Sequence, residues 1–355
     1  MLNQVAISVI IPCYNAELYI KECLKSLLNQ NFKKNFEIIV INDASEDSTV
    51  EIIKKFKFSK IKLFSLKKNA GPSAARNLGL KKAKGEYVFY LDVDDKISKK
   101  ILKELYNIAI QKNFDMVFCD KKLIENSKNQ RKNKFYYPSD KVFSKSQITN
   151  ELLKRFTNPS AYSGIFLHYG KLIKRSLLIK NKIIFIEKLR YLEDEIFGWD
   201  TLGFTSNVAY LKKQLYSYYV HPKVSTARSD AFNKGFPISN FFIVKNHIKK
   251  SLIARDIKYD VCEKYSKHAF IYFIVNSLVS YSMSLMQKKI RNNHGDKIFE
   301  NFIKKLITNK KIIDGFRQYK PSKQESRWIP KAFLTKSILL TKFACNLRCK
   351  QILKN

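Results

Sequence analysis

Cysteine is sparse and scattered. Only Cys345 and Cys349 stand close together, and no second pair or nearby histidine completes a tetrahedral zinc cage, so Cys13, Cys23, Cys119, Cys262, Cys345 and Cys349 read as reduced thiols. The opening residues lack a basic segment followed by a long apolar run and a cleavage site; this speaks against a secretory leader and makes the cytoplasm the expected compartment. There is no internal repeat. There is also no motif for reading RNA or DNA, so no nucleic-acid partner is expected, although a pI near 9.8 keeps a basic nucleic-acid-binding protein as the alternative from another class. Long apolar runs are nearly absent: the charge-free stretch 269–287 reaches spanning length, but Asn276 and four serines weaken it as a membrane helix.

Negative charge is the scarcest property. The chain of 355 residues holds 30 Asp and Glu against 67 Lys and Arg, a formal net charge of +37. The imbalance is graded: 20 basic against 14 acidic residues over 1–120, 21 against 9 over 121–230, and 26 against 7 over 231–355. Such an excess attracts anionic surfaces or phosphorylated ligands. Its concentration at the C-terminal end makes an anionic membrane surface an expected partner, with the protein peripheral on the inner face of the cytoplasmic membrane.

Apolar residues make up 45% of the chain, enough for a packed interior. Over the first 120 residues, apolar runs of strand length alternate with helix-period segments. The strands are Ile7–Ile11, Glu37–Ile41, Ile61–Phe64, Tyr87–Leu91 and Met116–Cys119; the helices are Glu17–Leu28, Ser48–Phe56, Ser73–Ala83 and Ser98–Gln111. That order predicts an α/β domain with a mostly parallel sheet flanked by helices, whose ligands bind beyond the carboxyl ends of the strands. Residues 121–147 read as a polar surface connection, and beyond about Phe232 the pattern turns helical and basic. The division expected is a catalytic domain over 1–230 and a helical C-terminal region over 231–355. In its last helix, Ile338, Leu339, Phe343 and Leu347 are set against Lys336, Lys342, Arg348 and Lys350.

The chemistry-bearing residues follow the strands. The first strand runs into Pro12, Cys13, Tyr14 and Asn15, where a phenol can stack on a base. The second ends at Asp43 in an acidic turn; a carboxylate there suits a uracil imide N–H, while Ser45, Asp47 or Ser48 caps the next helix. The third opens a loop, Asn69–Ala70–Gly71–Pro72, and a helix carrying Arg76, a setting suited to a diphosphate or a uracil carbonyl. The fourth delivers Asp92, Val93, Asp94 and Asp95. Strand alternation sends Asp92 and Asp94 to the same side, where a hard divalent ion relieves their repulsion; a solvated acidic turn is the plain alternative. Far downstream, Glu193 and Asp194 sit among aromatic residues, where burial raises carboxylate pKa toward that of a general base, unless they only start a helix. His221, at the end of a β-prone stretch, is either a third metal ligand, a phosphate donor or a structural residue. The segment 158–170 is aromatic and uncharged, between Arg155 and Lys171.

Taken in order, SVIIPCYNAELYI, EIIVINDASEDST, NAGPSAARNLGL, GEYVFYLDVDD, KLIKRSLLI with Phe185, LEDEIF and YYVHPKVST resemble the family 2 glycosyltransferases with the GT-A fold, over residues 5–228. The resemblance implies inverting transfer of a hexose from a nucleotide sugar, most readily a UDP-sugar, to a lipid-linked or surface-glycan acceptor, with Mn²⁺ or Mg²⁺ as cofactor. Carried over by position, Pro12, Tyr14, Asp43 and Arg76 hold the nucleoside, with Asn15, Asn69 and Val93 beside them. Asp92 meets the ribose or sugar, Asp94 the metal, and Asp194, next to Glu193, is the base. Ala44 stands where glycine is frequent, a departure expected to alter only the turn. A non-catalytic scaffold of a glycan-assembly complex is a further alternative, opposed by the retention of both acidic clusters.

Overall fold

The computed structural model describes residues 4–125, 135–157, 164–189, 192–220, 237–286, 295–321 and 325–354. The chain forms two compact units. One comprises residues 1–148, 163–188 and 193–221; the other 149–162, 189–192 and 222–355.

The first unit is built on a nine-stranded sheet, in which β1 (Ile7–Cys13), β2 (Phe36–Asn42), β3 (Ile61–Ser65) and β4 (Tyr87–Tyr90) are parallel in the order β3-β2-β1-β4. β1, β2 and β4 are buried along their whole length, the condition of parallel strands covered on both faces. The covering helices are α1 (Ile20–Leu28), α2 (Thr49–Lys55), α3 (Pro72–Lys82) and α4 (Ile101–Gln111). α1, α2 and α4 fall inside the segments whose periodicity marked them, and α3 starts one residue earlier, at Pro72. α3 lies close on β1 because Gly79 has no side chain; a Cβ there would meet Ile10 Cγ2 at 2.3 Å.

Beyond β4 the sheet becomes mixed. β8 (Lys171–Lys174) is antiparallel to both β4 and β6 (Met116–Glu125), and β6 is parallel to β9 (Val208–Val220). Short strands β5 (Lys96–Ile97) and β7 (Lys141–Phe143) add to β9. The stretch read as a polar connection over 121–147 carries regular elements: β6 runs on to Glu125, β7 follows, and α5 (Lys145–Thr157) begins within it. Lysines there obscure the strand, although Lys121 is taken up by its neighbours: its Nζ lies 4.8 Å from the Tyr169 ring centroid and 4.7 Å from that of Tyr218. α6 (Arg175–Lys180) and α7 (Glu193–Phe204) complete the elements that carry this unit's chemistry.

The second unit is helical: α8 (Ser239–Ile253), α9 (Tyr259–Met286), α10 (Gly295–Ile307), α11 (Lys310–Gln318), α12 (Trp328–Leu334) and α13 (Ile338–Lys354). α9 is long and apolar enough to cross a membrane, but Phe270, Phe273, Ile274, Leu278 and Tyr281 are buried and α8, α10, α11 and α13 pack against it. It is the core helix of this unit. On α13, Thr341, Ala344, Cys345 and Cys349 are buried, whereas Leu339, Phe343 and Leu347 face outward.

Candidate active site

The carboxyl ends of β1, β2 and β4 gather the residues that sequence marked on the donor side. Pro12 is paired with Ile41 in the β1–β2 ladder. Tyr14 follows the strand and is 45% exposed, leaving its ring open for stacking. Asn15, at φ 46°, fastens this corner to the next turn: its N–H donates to Ser45 Oγ at 3.0 Å and its Oδ1 accepts from Glu46 N at 2.9 Å. Asp47 caps α2, accepting from Thr49 N at 3.0 Å. Asp43 is buried and accepts from Ala70 N and Gly71 N, each at 2.7 Å, so it orders the loop that opens α3. Each of its oxygens keeps a second lone pair for a ligand N–H. Asn69 is exposed at the same loop.

Alternation does not persist past β4. Asp92–Asp95 is a tight turn, closed by Asp95 N donating to Asp92 O at 3.1 Å, and the carboxylates of Asp92 and Asp95 take different partners. Asp92 meets Arg76 Nη2 at 2.8 Å and His168 Nε2 at 3.3 Å. Asp95 is buried, accepting from Tyr216 Oη at 2.6 Å and from Tyr219 N at 2.9 Å. Val93 packs on the hydrophobic core, and Asp94 is half-buried at the turn. His221 lies outside the described residues, as do 158–163 of the aromatic segment.

Asp194, in the first turn of α7, reaches the same place from the other end of the domain. Its Oδ1 lies 3.4 Å from Arg76 Nη1 and 3.1 Å from His168 Nδ1. One guanidinium and one imidazole thus bridge the two acidic clusters. The bridge is walled by Phe185, whose ring sits 5.0 Å from the Arg76 guanidinium and stacks on Phe197 at 4.0 Å.

The electrostatics are nearly balanced. Burial alone would raise Asp92 and Asp194, yet His168 and Arg76 outweigh it and hold both below the ordinary carboxylate range. Burial likewise opposes a charged imidazole, but Asp194 and Asp92 push His168 up to about 9. The expectation that burial lifts the base toward neutrality therefore fails for Asp194, which has two cations against it. It holds for the neighbouring Glu193, pushed up to about 7 by burial and by Asp194. Burial, then Asp92 and Asp94, raise Asp95 to about 8.

His168 was not singled out by sequence. It stands in an aromatic segment without periodicity, and its one signal was being the sole histidine in an otherwise uncharged run before β8. Asp95 is within a quoted motif and Tyr216 is not, and their hydrogen bond joins segments far apart in the sequence that no local pattern pairs.

Residues 8–178 match the family model for glycosyl transferase family 2. Among curated proteins, the chain is 42% identical over 126 residues to an uncharacterized glycosyltransferase of Haemophilus influenzae, covering 34% of this chain and 50% of that one. It is 28% identical over 325 residues to the cholesterol galactosyltransferase of Borreliella burgdorferi, covering 90% and 86%. Of the first of these relatives the chain spans only half the length. Among solved structures, Staphylococcus aureus TarS 1–349 in complex with UDP-GlcNAc superposes with a TM-score of 0.68 at 22% identity, covering 98% of this chain and 92% of that one, a likeness of fold. Motif order, strand topology and these matches together place the chain in glycosyl transferase family 2, with the GT-A fold.

Proposed function

We propose that the first unit is an inverting hexosyltransferase that moves a hexose from a UDP-sugar to a hydroxyl of a lipid-linked or surface-glycan acceptor. The observation that carries this reading is the bridge of Arg76 and His168 between Asp92 and Asp194, which puts two carboxylates of distant origin on one small charged centre at the end of β4. A displacement at an anomeric carbon needs a leaving diphosphate neutralised on one side and a proton removed from the acceptor on the other.

The chain's own groups divide that work. Tyr14 stacks on the base, and a free lone pair of Asp43 accepts its imide N–H. Asp92 orients the sugar or ribose. Arg76 is the cation nearest the reacting centre; as it turns to the diphosphate, Asp194 loses a neutralising partner and its proton affinity rises. The base is thereby strengthened when the donor is in place. Removal of the acceptor proton by Asp194 accompanies attack from the face opposite the leaving group, and a single displacement inverts the configuration.

The site fits a divalent cation. Asp95 is raised by burial and by Asp92 and Asp94, the mark of an acidic turn that a hard dication relieves. No group of three ligating side chains is present among the described residues, so Asp94 would hold the ion with diphosphate oxygens completing its shell, as Mg²⁺ and Mn²⁺ accept. Bound there, the ion would supply further neutralisation of the leaving group.

The name of the Borreliella relative favours a hexose donor and an acceptor hydroxyl carried by a membrane lipid. Galactose, glucose and their N-acetyl forms are compared directly by incubating the full chain with each UDP-sugar and Mn²⁺ and following UDP release. Release from one donor, abolished by a chelator and restored by Mn²⁺ or Mg²⁺, is the expected result. No turnover of any UDP-sugar, with or without metal, overturns the reading.

A further inference from the structure

The last two helices carry an apolar ridge on the outside of their own unit. On α13 the packed side is made of small or polar groups, Thr341, Ala344, Cys345 and Cys349, which let the helix sit close on α9. The side chains that stand away are the large ones: Leu339, Leu340, Phe343 and Leu347 are 74, 50, 67 and 40% exposed. At roughly 100° per residue these four fall on one arc of the helix surface. On α12, which packs against α13, Trp328 is 66% exposed.

Charge identifies what covers this ridge. Residues 326–355 contain seven Lys and Arg and no Asp or Glu. Lys342 pairs inward with Asp296 at 2.7 Å and Glu300 at 2.8 Å, whereas Lys331, Lys336 and Lys350 are exposed around the ridge. A second copy of the same surface would set cation against cation. Nucleic acid would satisfy the lysines and leave the leucines and Phe343 in water. An anionic bilayer satisfies both, taking apolar side chains at the acyl boundary and ammonium groups at the headgroup phosphates.

We infer that α12 and α13 form an interfacial docking surface for anionic lipid, with Leu339, Phe343, Leu347 and Trp328 as the inserting groups and Lys336 and Lys350 as the headgroup contacts. This surface acts independently of the transfer chemistry in the other unit, and it can be tested without turnover.

The full chain is sedimented with phosphatidylcholine vesicles, with and without phosphatidylglycerol, at low and high salt. It is expected to bind the anionic vesicles, to be released by salt, and to show a blue shift in Trp328 emission; Trp199 is fully buried and serves as a constant background. The triple variant Leu339→Gln, Phe343→Gln, Leu347→Gln changes exposed positions and is expected to keep its circular dichroism while losing roughly tenfold or more in binding. Lys336→Gln and Lys350→Gln are each expected to lose about fivefold at low salt. Failure of the wild-type chain to bind, equal binding to neutral vesicles, or undiminished binding by the triple variant overturns the proposal. So does a dimer of the wild-type chain that dissociates in the triple variant, since a second copy would then cover the ridge.

Discussion

Asp92 and Asp194 lie far apart in the sequence, yet each contacts both Arg76 and His168, Asp92 at 2.8 and 3.3 Å and Asp194 at 3.4 and 3.1 Å. Two half-buried anions and two buried cations in one cluster leave it close to neutral. In the proposed mechanism a donor diphosphate exchanges partners with Arg76 rather than meeting an unopposed charge, which is how a site can stay folded without ligand and still respond to it.

Asp194→Asn keeps the shape and hydrogen-bonding size of the side chain and removes its basicity. Donor turnover in the presence of acceptor is expected to fall by about 10²- to 10⁴-fold. The far-ultraviolet circular dichroism should stay unchanged. Turnover at the wild-type rate would remove Asp194 from the role of base and with it the proposed mechanism.

His168 gives the cluster a pH signature. Its folded pKa, about 9, lies above the ordinary histidine value of 6.5, so its contribution to stability is complete below about pH 6.5 and is lost as pH rises through 9. His168→Gln removes one charge from a buried network and is expected to cost about 3 kcal/mol near pH 6. The gap between variant and wild type in urea unfolding should narrow steadily toward pH 9. A gap of constant size across that range would show that His168 acts by packing alone.

The strands and helices of the parallel half were legible because each obeys a local rule: continuous apolar runs in β1, β2 and β4, and one-sided apolar spacing in α1 and α4. The acidic turn after β4 and the pair at 193–194 were legible as charge out of place. Their meeting on His168 was not, because it depends on β8 returning antiparallel between β4 and β6, a long-range pairing with no mark in the residues themselves. Which face of α13 packs was not legible for a related reason. Its apolar stripe is real, but the neighbouring helices chose to pack on Ala344, Cys345 and Cys349, and periodicity does not say which stripe is covered.

Ala44 shows what a substituted turn costs. Its φ of 59° is in the left-handed region, where a Cβ is disfavoured and glycine is not. Ala44→Gly is expected to stabilise the protein by about 1 kcal/mol, the left-handed penalty less the extra freedom of glycine in the unfolded chain. Chemical denaturation measures it directly, and donor turnover should be unchanged because Asp43 keeps its bonds to Ala70 and Gly71. A variant no more stable than wild type would mean that the turn relaxes without help.

Gly198 couples Asp194 to His168. It sits in the second turn of α7, and a Cβ added there would lie 1.9 Å from Phe166 O and 2.6 Å from Phe166 C, backbone atoms of the 3-10 turn at Gly164–Phe166. Neither element can yield locally: α7 is anchored by the buried Ile196, Phe197 and Trp199, and the turn by Ile165 and Phe166. Gly198→Ala must therefore push α7, with Asp194 at its first turn, away from the turn that leads into His168. The expected cost is about 3 kcal/mol or more, at the upper end for overpacking because backbone is struck rather than a side chain. Separation of Asp194 from His168 should also lower the His168 pKa, so histidine titration followed by NMR on the folded fraction is expected to shift toward 6.5. If the variant retains both wild-type stability and the wild-type titration, α7 and the turn are not held at contact, and the positioning of Asp194 must come from elsewhere.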